Sequence, residues 1–400
     1  MSQSETTVTG HRTAVAAGFL GWTLDAFDFF LVTLCLTAIG KDLGASDKQM
    51  AGAIGLTLMF RPVGALIFGL LADRYGRRIP LMLNLVFYSA ATVATGLVQT
   101  FGGFLVLRAL FGIGMGGEWG VGASLVMEKV PPKLRGVFSG FLQQGYALGN
   151  LLAAGCYWYV FPKYGWRPLF FIGGLPALLA IYVRSHVKES EVWHKTKVDL
   201  GSYFDTLLNN LPLFLYIAVL MTGMNFASHG TQDLYPTFLQ RDWGFSPGQR
   251  AALTAWSMVG ALCGGVLCGM LSERIGRRRM IVYALCAGVV SIPAWAFAPS
   301  LSVLVLGAFL MQFCVQGAWG VIPAHITELS PDAVRGFMPG FAYQCGVALA
   351  GYVSLVEAFF AGKGTYAESM AYTAATVFLF ASVMAIVGKE RKGRVYGSVT

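Results

Sequence analysis

Residues 69–78 read G-L-L-A-D-R-Y-G-R-R, and residues 269–278 read G-M-L-S-E-R-I-G-R-R. The same offset of 200 residues relates G-E-W-G-V at 117–121 to G-A-W-G-V at 317–321. It also relates E-K-V-P-P-K-L-R-G at 128–136 to E-L-S-P-D-A-V-R-G at 328–336. The offset is half of the 400-residue chain, so the sequence is a tandem duplication. Only 12% of the residues are charged and 56% are apolar, against about 25% charged in soluble globular chains. The apolar runs are near 20 residues long and do not alternate, which predicts membrane-spanning helices and excludes a barrel. Twelve such segments occur, at about 14–38, 51–72, 79–99, 102–127, 136–161, 166–185, 211–238, 249–272, 280–299, 302–328, 336–360 and 368–388. Six spans per copy is an even number, so both copies enter the membrane in the same orientation. The expected fold is an all-α membrane protein of twelve transmembrane helices in two parallel-repeat six-helix bundles. Its domains are expected at 1–186 and 211–400, joined by a linker at 187–210. A solute site is expected between the bundles near the midplane.

The net charge of +9 invites a nucleic-acid partner, but its distribution excludes one. With the N-terminus cytoplasmic, the inner loops and tails carry 20 of the 29 Lys and Arg residues and the outer loops carry 7. That asymmetry predicts a multi-pass protein of the cell (inner or plasma) membrane with both termini inside. The first apolar run is long and carries acids, so it is expected to be a retained span and not a cleaved signal. The linker is charged where it begins and is expected to hold a short amphipathic interfacial helix. All seven cysteines fall in predicted spans without metal-type spacing and are expected as small packing residues without disulfides.

The second half of the seventh apolar segment reads N-F-A-S-H-G-T-Q-D-L-Y-P-T at 225–237. At about 100° per residue, Asn225, Ser228, His229, Gln232 and Asp233 share one helix face. Each polar group at membrane depth is costly unless it faces protein or water. A helix–helix contact needs one or two such residues, so a face with five predicts a cavity and a solute site.

Other polar residues inside the spans are few. Arg61 lies mid-span, where an arginine costs about 2.5–3.5 kcal/mol on insertion scales. Its planar fork matches a carboxylate, and the alternative is a structural pair with Asp25 or Asp28. Asp25 and Asp28 are three apart on one face of span 1, and Glu118 lies at mid-depth in span 4. Each is a candidate proton carrier, because burial favours the neutral acid; a fixed pairing of Glu118 with Arg61 or Arg108 is the other reading. Gln344 repeats Gln144 at the 200-residue offset and is expected on the cavity wall. Asp73 and Glu273 end spans 2 and 8, each followed by a basic run. No nucleophile–base set, phosphate loop or metal cluster is present, so an enzyme, a cofactor and a metal are not expected.

These motifs carry a resemblance that covers nearly the whole chain. The doubled G-x-L-A-D-R-x-G-R-R loop, the Arg108–Gly112–Gly116 pattern and the 6 + 6 topology resemble the major facilitator superfamily. Within it, L-D-A-F-D-F-F at 24–30, G-M-G-G-E-W-G at 114–120 and the 225–237 stretch resemble the sialate:proton symporter family. The Asn-x-x-Ser-His-x-Thr-Gln-Asp-x-x-x-Thr pattern resembles that family's lactate/pyruvate permeases. The resemblance implies a cytoplasmic gate latch in which Asp73, Arg74, Arg77 and Glu128 face Glu273, Arg274, Arg277 and Glu328. Arg135 and Arg335, near Glu128 and Glu328, are the expected arginine partners. It also implies secondary active transport: a small monocarboxylate and a proton carried together by alternating access, without a cofactor, by a monomer in the bilayer. Substrate contacts are expected from Arg61, Asn225, His229, Gln232, Asp233 and Gln344. Coupling is expected from His229 and Asp233, four apart and able to titrate as a pair, with Asp25, Asp28 and Glu118 as alternatives. A larger acid such as sialic acid is the runner-up, and a transport-dead nutrient sensor on the same fold is the remote alternative.

Overall fold

The computed structural model describes residues 3–196, 199–350, 352, 353, 357, 359, 360 and 364–397. Span 1 is Gln3–Leu43, span 2 Asp47–Tyr75, span 3 Arg78–Leu97 and span 4 Phe101–Lys129. Span 5 joins Arg135–Gln143 to Gly145–Tyr164, and span 6 joins Arg167–Ile172 to Pro176–His186. Span 7 joins Leu211–Gln232 to Tyr235–Arg241; span 8 is Pro247–Ile275, span 9 Arg277–Ala296 and span 10 Leu301–Leu329. Span 11 begins with Met338–Ala350, and span 12 is Tyr366–Val387. The expected segment 336–360 lies partly outside the described residues. Spans 1, 2 and 8 extend past their apolar runs by several residues, and Ser46 and Ser246 cap the N-termini of the latter two.

The duplication extends to the turns. Ser46 and Ser246 each form a capping box, with Gln49 and Gln249 respectively. Gly44 and Gly244 turn the chain before those helices at φ 65° and 64°. Gly76 and Gly276 sit at φ 97° and 105° between spans 2 and 3 and between spans 8 and 9. These angles are open to glycine and strained for other residues. The 3₁₀ turns Pro132–Leu134 and Asp332–Val334 are also 200 residues apart. The face carrying these two turns, the linker and the tail 389–397 is called the linker face below.

The linker holds two short helices, Glu191–Thr196 and Leu200–Asn209. The second is amphipathic: Leu200, Phe204 and Leu208 are exposed at a spacing of four, while Tyr203 is buried. Asp199 caps it, and the Ser202 hydroxyl and N–H hold that carboxyl below its usual value. Glu189 accepts hydrogen bonds from the N–H groups of Arg77 and Arg78, and Glu390 accepts from Arg278 N. Each carboxylate thus sits at the N-terminus of the first helix after a repeat loop, where the helix dipole favours it.

The two bundles meet at the linker face through glycines. A Cβ on Gly120 would lie 2.6 Å from Gly340 Cα, and one on Gly269 would lie 2.9 Å from Gly140 Cα. Spans 4 and 5 of the first half therefore touch spans 11 and 8 of the second backbone to backbone. The cysteines are free, and Cys263 and Cys286 are exposed, which corrects the expectation that all seven pack inside. Their faces of spans 8 and 9 point away from the bundle.

Candidate functional site

Between the bundles lies a cavity of about 710 Å³. It runs along span 2 from Ala51, near the face opposite the linker, to Arg61 at mid-span. Span 8 lines it from Thr254 to Ala261, the matching stretch of the second half. The polar face of span 7 forms one wall: Asn225, Ser228, His229, Gln232 and Asp233 all border the cavity. The helix continues only to Gln232 and resumes at Tyr235, so His229 and Asp233 occupy the last turn before a break. His229 Nδ1 lies 3.1 Å from Asp233 Oδ2. Gln232 Nε2 donates to Gln312 Oε1 at 2.9 Å, and Gln312 Nε2 donates to Thr231 Oγ1 at 3.2 Å. Asn225 Nδ2 donates back to Met221 O at 2.8 Å.

Arg61 borders the cavity from span 2 and is 4% exposed. Its Nε and Nη2 have no hydrogen-bond partner, and no carboxylate pairs with it within 4.0 Å among the described residues. The structural pair with Asp25 or Asp28 is therefore not formed in this conformation. The guanidinium instead lies over the Tyr343 ring, 5.8 Å from its centroid. A desolvated guanidinium with two donors unused and no carboxylate partner, beside a cavity, is a ready receptor for a planar anion.

The expected acids of the first half sit behind this wall, not on it. Asp25, Asp28 and Glu118 are fully buried, and none borders the cavity. Asp28 Oδ2 accepts from Thr92 Oγ1 at 3.1 Å. Among the described residues, both carboxyl oxygens of Asp25 and of Glu118 lack a hydrogen-bond partner. Glu118 has no fixed pairing with Arg108, whose Nη2 donates to Thr95 Oγ1 at 2.6 Å and whose guanidinium stacks on Phe111. Gln344, expected on the cavity wall, is turned toward span 4, where its Nε2 donates to Gly116 O at 3.4 Å. The neighbouring Tyr343 takes the wall position instead. A one-residue change of register decides this, because successive helix positions differ by about 100°.

Sequence reasoning missed the aromatic lining. Trp22 stacks on Tyr146 at 5.7 Å, and Trp319 meets Tyr343 edge-on at 5.6 Å. Aromatics are common in every span, so no signal distinguished these. Gln312 and Gln316, however, are four apart in span 10 and both line the cavity; the rule applied to span 7 would have found them.

The linker face is closed by a crossed set of charges. Asp73 pairs with Arg77 at 2.6 Å and accepts hydrogen bonds from Gly336 N at 2.7 Å and Phe337 N at 3.1 Å. The linker adds the Tyr203 hydroxyl at 3.1 Å, and burial together with Asp73 pushes that phenol up, so it remains a donor. Glu273 mirrors this by pairing with Arg277 at 3.0 Å and accepting from Gly136 N. Arg135 and Arg335 do not reach Asp73 or Glu273, which corrects their expected partners. They cross between halves, Arg335 to Glu128 and Arg135 to Glu328, each at 3.7 Å. Arg77 and Arg277 complete the set at 3.0 Å from Glu128 and Glu328. Arg74 and Arg274 are exposed and stand outside it, contrary to expectation; each lies one residue past the acid of its latch, about 100° round the helix, and so points away. Between Arg135 and Arg335 lies the ring of Tyr396, 3.5 and 3.6 Å from the two guanidinium carbons.

A family model described as the Major Facilitator Superfamily matches residues 18–237 and 215–396. The chain is similar to a carboxylic acid transporter protein homolog of Saccharomyces cerevisiae, 29% identical over 94% of this chain and 67% of that one. It is also similar to the sialic acid transporter NanX of Escherichia coli, 29% identical over 96% of this chain and 95% of that one. Among solved structures, the proton:xylose symporter XylE superposes with a TM-score of 0.79 at 17% identity, over 98% of both chains. That likeness concerns the fold.

Proposed function

The chain belongs to the major facilitator superfamily, and on that premise we propose that it is a proton-coupled symporter of a small monocarboxylate of the lactate or pyruvate kind. The observation that carries the reading is Arg61, with two donors unused and no carboxylate partner among the described residues, beside a cavity whose other wall holds His229 and Asp233. A carboxylate entering the low-dielectric midplane alone is strongly disfavoured. Arg61 supplies the opposite charge, and a proton taken up with the anion keeps the loaded carrier electroneutral. His229 and Asp233 are the coupling pair, and Asp25, Asp28 and Glu118 are the reserve.

In this reading the linker face is cytoplasmic, and the conformation has its cytoplasmic latch closed and its cavity directed outward. The rigid units are 1–186 and 211–400, and the segment 187–210 bridges them. Rocking breaks the crossed pairs of Glu128 and Glu328 and closes the opposite side. The proton gradient drives the cycle without a cofactor, and one chain suffices.

A counterflow panel in proteoliposomes with lactate, pyruvate, acetate, dicarboxylates and sialic acid tests the reading. Lactate or pyruvate exchange, accelerated by an acidic exterior, is expected. Uptake that ignores the pH gradient and follows sodium or membrane potential refutes symport, and no flux for any solute favours a sensor. The cavity of about 710 Å³ favours a second reading, a larger hydroxylated acid such as sialic acid, which the same panel separates.

A further inference from the structure

The tail after span 12 reads K-E-R-K-G-R-V-Y-G at 389–397, a basic segment of the kind that sets topology. In the structure it lies along the linker face, fastened to the second half. Lys392 Nζ donates to Glu273 O at 3.0 Å, at the C-terminal end of span 8, where the helix dipole favours a cation. Gly393 N donates to Glu328 Oε1 at 3.2 Å. Arg394 Nη1 donates to Ser330 O at 3.0 Å, and its Nη2 pairs with Asp332 at 2.9 Å. Gly397 N donates to the other oxygen of Asp332 at 2.6 Å. These partners belong to spans 8 and 10 and to the turn that follows span 10.

The tail grips the first half through Arg135. Arg135 Nη1 donates to Arg394 O at 2.5 Å, and its guanidinium carbon lies 3.5 Å from the centroid of the Tyr396 ring. Arg335, of the second half, meets the same ring at 3.6 Å. Tyr396 is 8% exposed, whereas Arg391, Lys392 and Val395 around it are exposed. Its hydroxyl donates to Thr327 Oγ1 at 3.4 Å, which ties the edge of the ring to span 10. Two guanidiniums on one ring repel each other, yet both must stay in place for the crossed pairs, Arg135 with Glu328 and Arg335 with Glu128. The face of an aromatic ring is negative and attracts a cation, more strongly where water is excluded. The ring thus offsets the repulsion and orients both planes, since guanidinium stacks flat on aromatic faces. An aliphatic side chain in its place would fill the space and do neither.

We propose that Tyr396 is a positioning residue of the transport cycle: carried by the second half, it grips Arg135 of the first and makes the tail a strap across the closed linker face. The inference rests on the alternating-access reading of the latch and not on which solute or ion is carried. Arg135 meets the ring and Arg394 O only while the halves touch at this face. Opening strips Arg135 from both, while Arg335 belongs to the same half as the tail. The strap therefore stabilises the closed state alone and sets how readily the face parts.

The test uses the full chain in liposomes, with spin labels at the exposed positions Lys133 and Arg279 in a background lacking native cysteines. Tyr396→Leu keeps an apolar side chain but removes the ring face. It is expected to shift the closed-to-open ratio toward open by about tenfold to thirtyfold. Tyr396→Phe keeps the ring and gives up only the hydroxyl, and it is expected to retain the wild-type distance. Equal distance distributions for the two variants overturn the proposal, because a side chain that merely fills space would not tell them apart. Asp73→Asn, which acts through Gly336 and Phe337, separates the strap from the latch. If it opens the face and Tyr396→Leu does not, the strap alone fails. If neither opens it, the latch reading fails and the strap falls with it.

Discussion

Replacing Asp73 by asparagine isolates the charge of the latch from its shape. In the closed linker face the carboxylate accepts two backbone hydrogen bonds from the other half, from Gly336 and Phe337. Those two bonds exist only while the halves touch there. A hydrogen bond to a charged group contributes about 1.5–3 kcal/mol and a neutral one about 0.5–1.5, so the substitution weakens each by about 1 kcal/mol. The closed state then loses about 2 kcal/mol relative to the open one, a shift of about 30-fold in their ratio. The Arg77 pair and the Tyr203 contact lie outside the sum, because Arg77 is on the same half as Asp73 and Tyr203 belongs to the linker and not to the other half. Spin labels on exposed positions of the two halves, Lys133 and Arg279, report the separation in a background lacking native cysteines. Asp73→Asn is expected to populate a longer distance at the linker face and to slow uptake while the protein stays folded. An unchanged distance distribution together with wild-type uptake would refute the latch.

Arg61→Gln removes a charge-assisted contact and is expected to weaken carboxylate binding by about ten- to a hundredfold, read by calorimetry; unchanged affinity would show that the anion does not meet this side chain. Asp233→Asn is expected to slow acid-driven accumulation severely while exchange partly survives, and His229→Ala is expected to shift the pH dependence or abolish uptake. If both still concentrate substrate under a pH gradient as the wild type does, coupling belongs to the acids of span 1. Gly120→Ala places a methyl where Gly340 Cα already sits and is expected to disfavour the closed linker face by about 1–3 kcal/mol. The same spin-label pair reads that opening, and a closed, unperturbed distance counts against the seam.

What was legible in the sequence was whatever repeats or whatever is out of place. The 200-residue offset fixed the topology because turns, caps and charged loops recur at identical spacing. The polar face of span 7 was legible because polar side chains are rare at membrane depth. Placement behind a wall was not: Asp25, Glu118 and Gln344 carry the same composition signal as Asp233, and only packing decides which reach the cavity. The crossed pairing of Arg135 and Arg335 was equally hidden. Each is closer in sequence to the acid of its own half, and a symmetric motif cannot say whether its partner is its own copy or the other.

The glycine seam has a consequence for leakage. Where Gly120 meets Gly340 and Gly140 meets Gly269, the two halves touch through backbone, too closely to admit a methyl group. A proton crosses such a barrier only along a file of water or titratable groups, and the glycine contacts themselves add no titratable group to such a file. Insulation on this side is thus a matter of dryness, while the charges around it set how readily the seam parts. A variant that spoils the charges alone is expected to cycle poorly yet hold a gradient. One that spoils the seam would let the gradient run down with no solute moved, and it would burden the cell more than a transporter that had simply stopped.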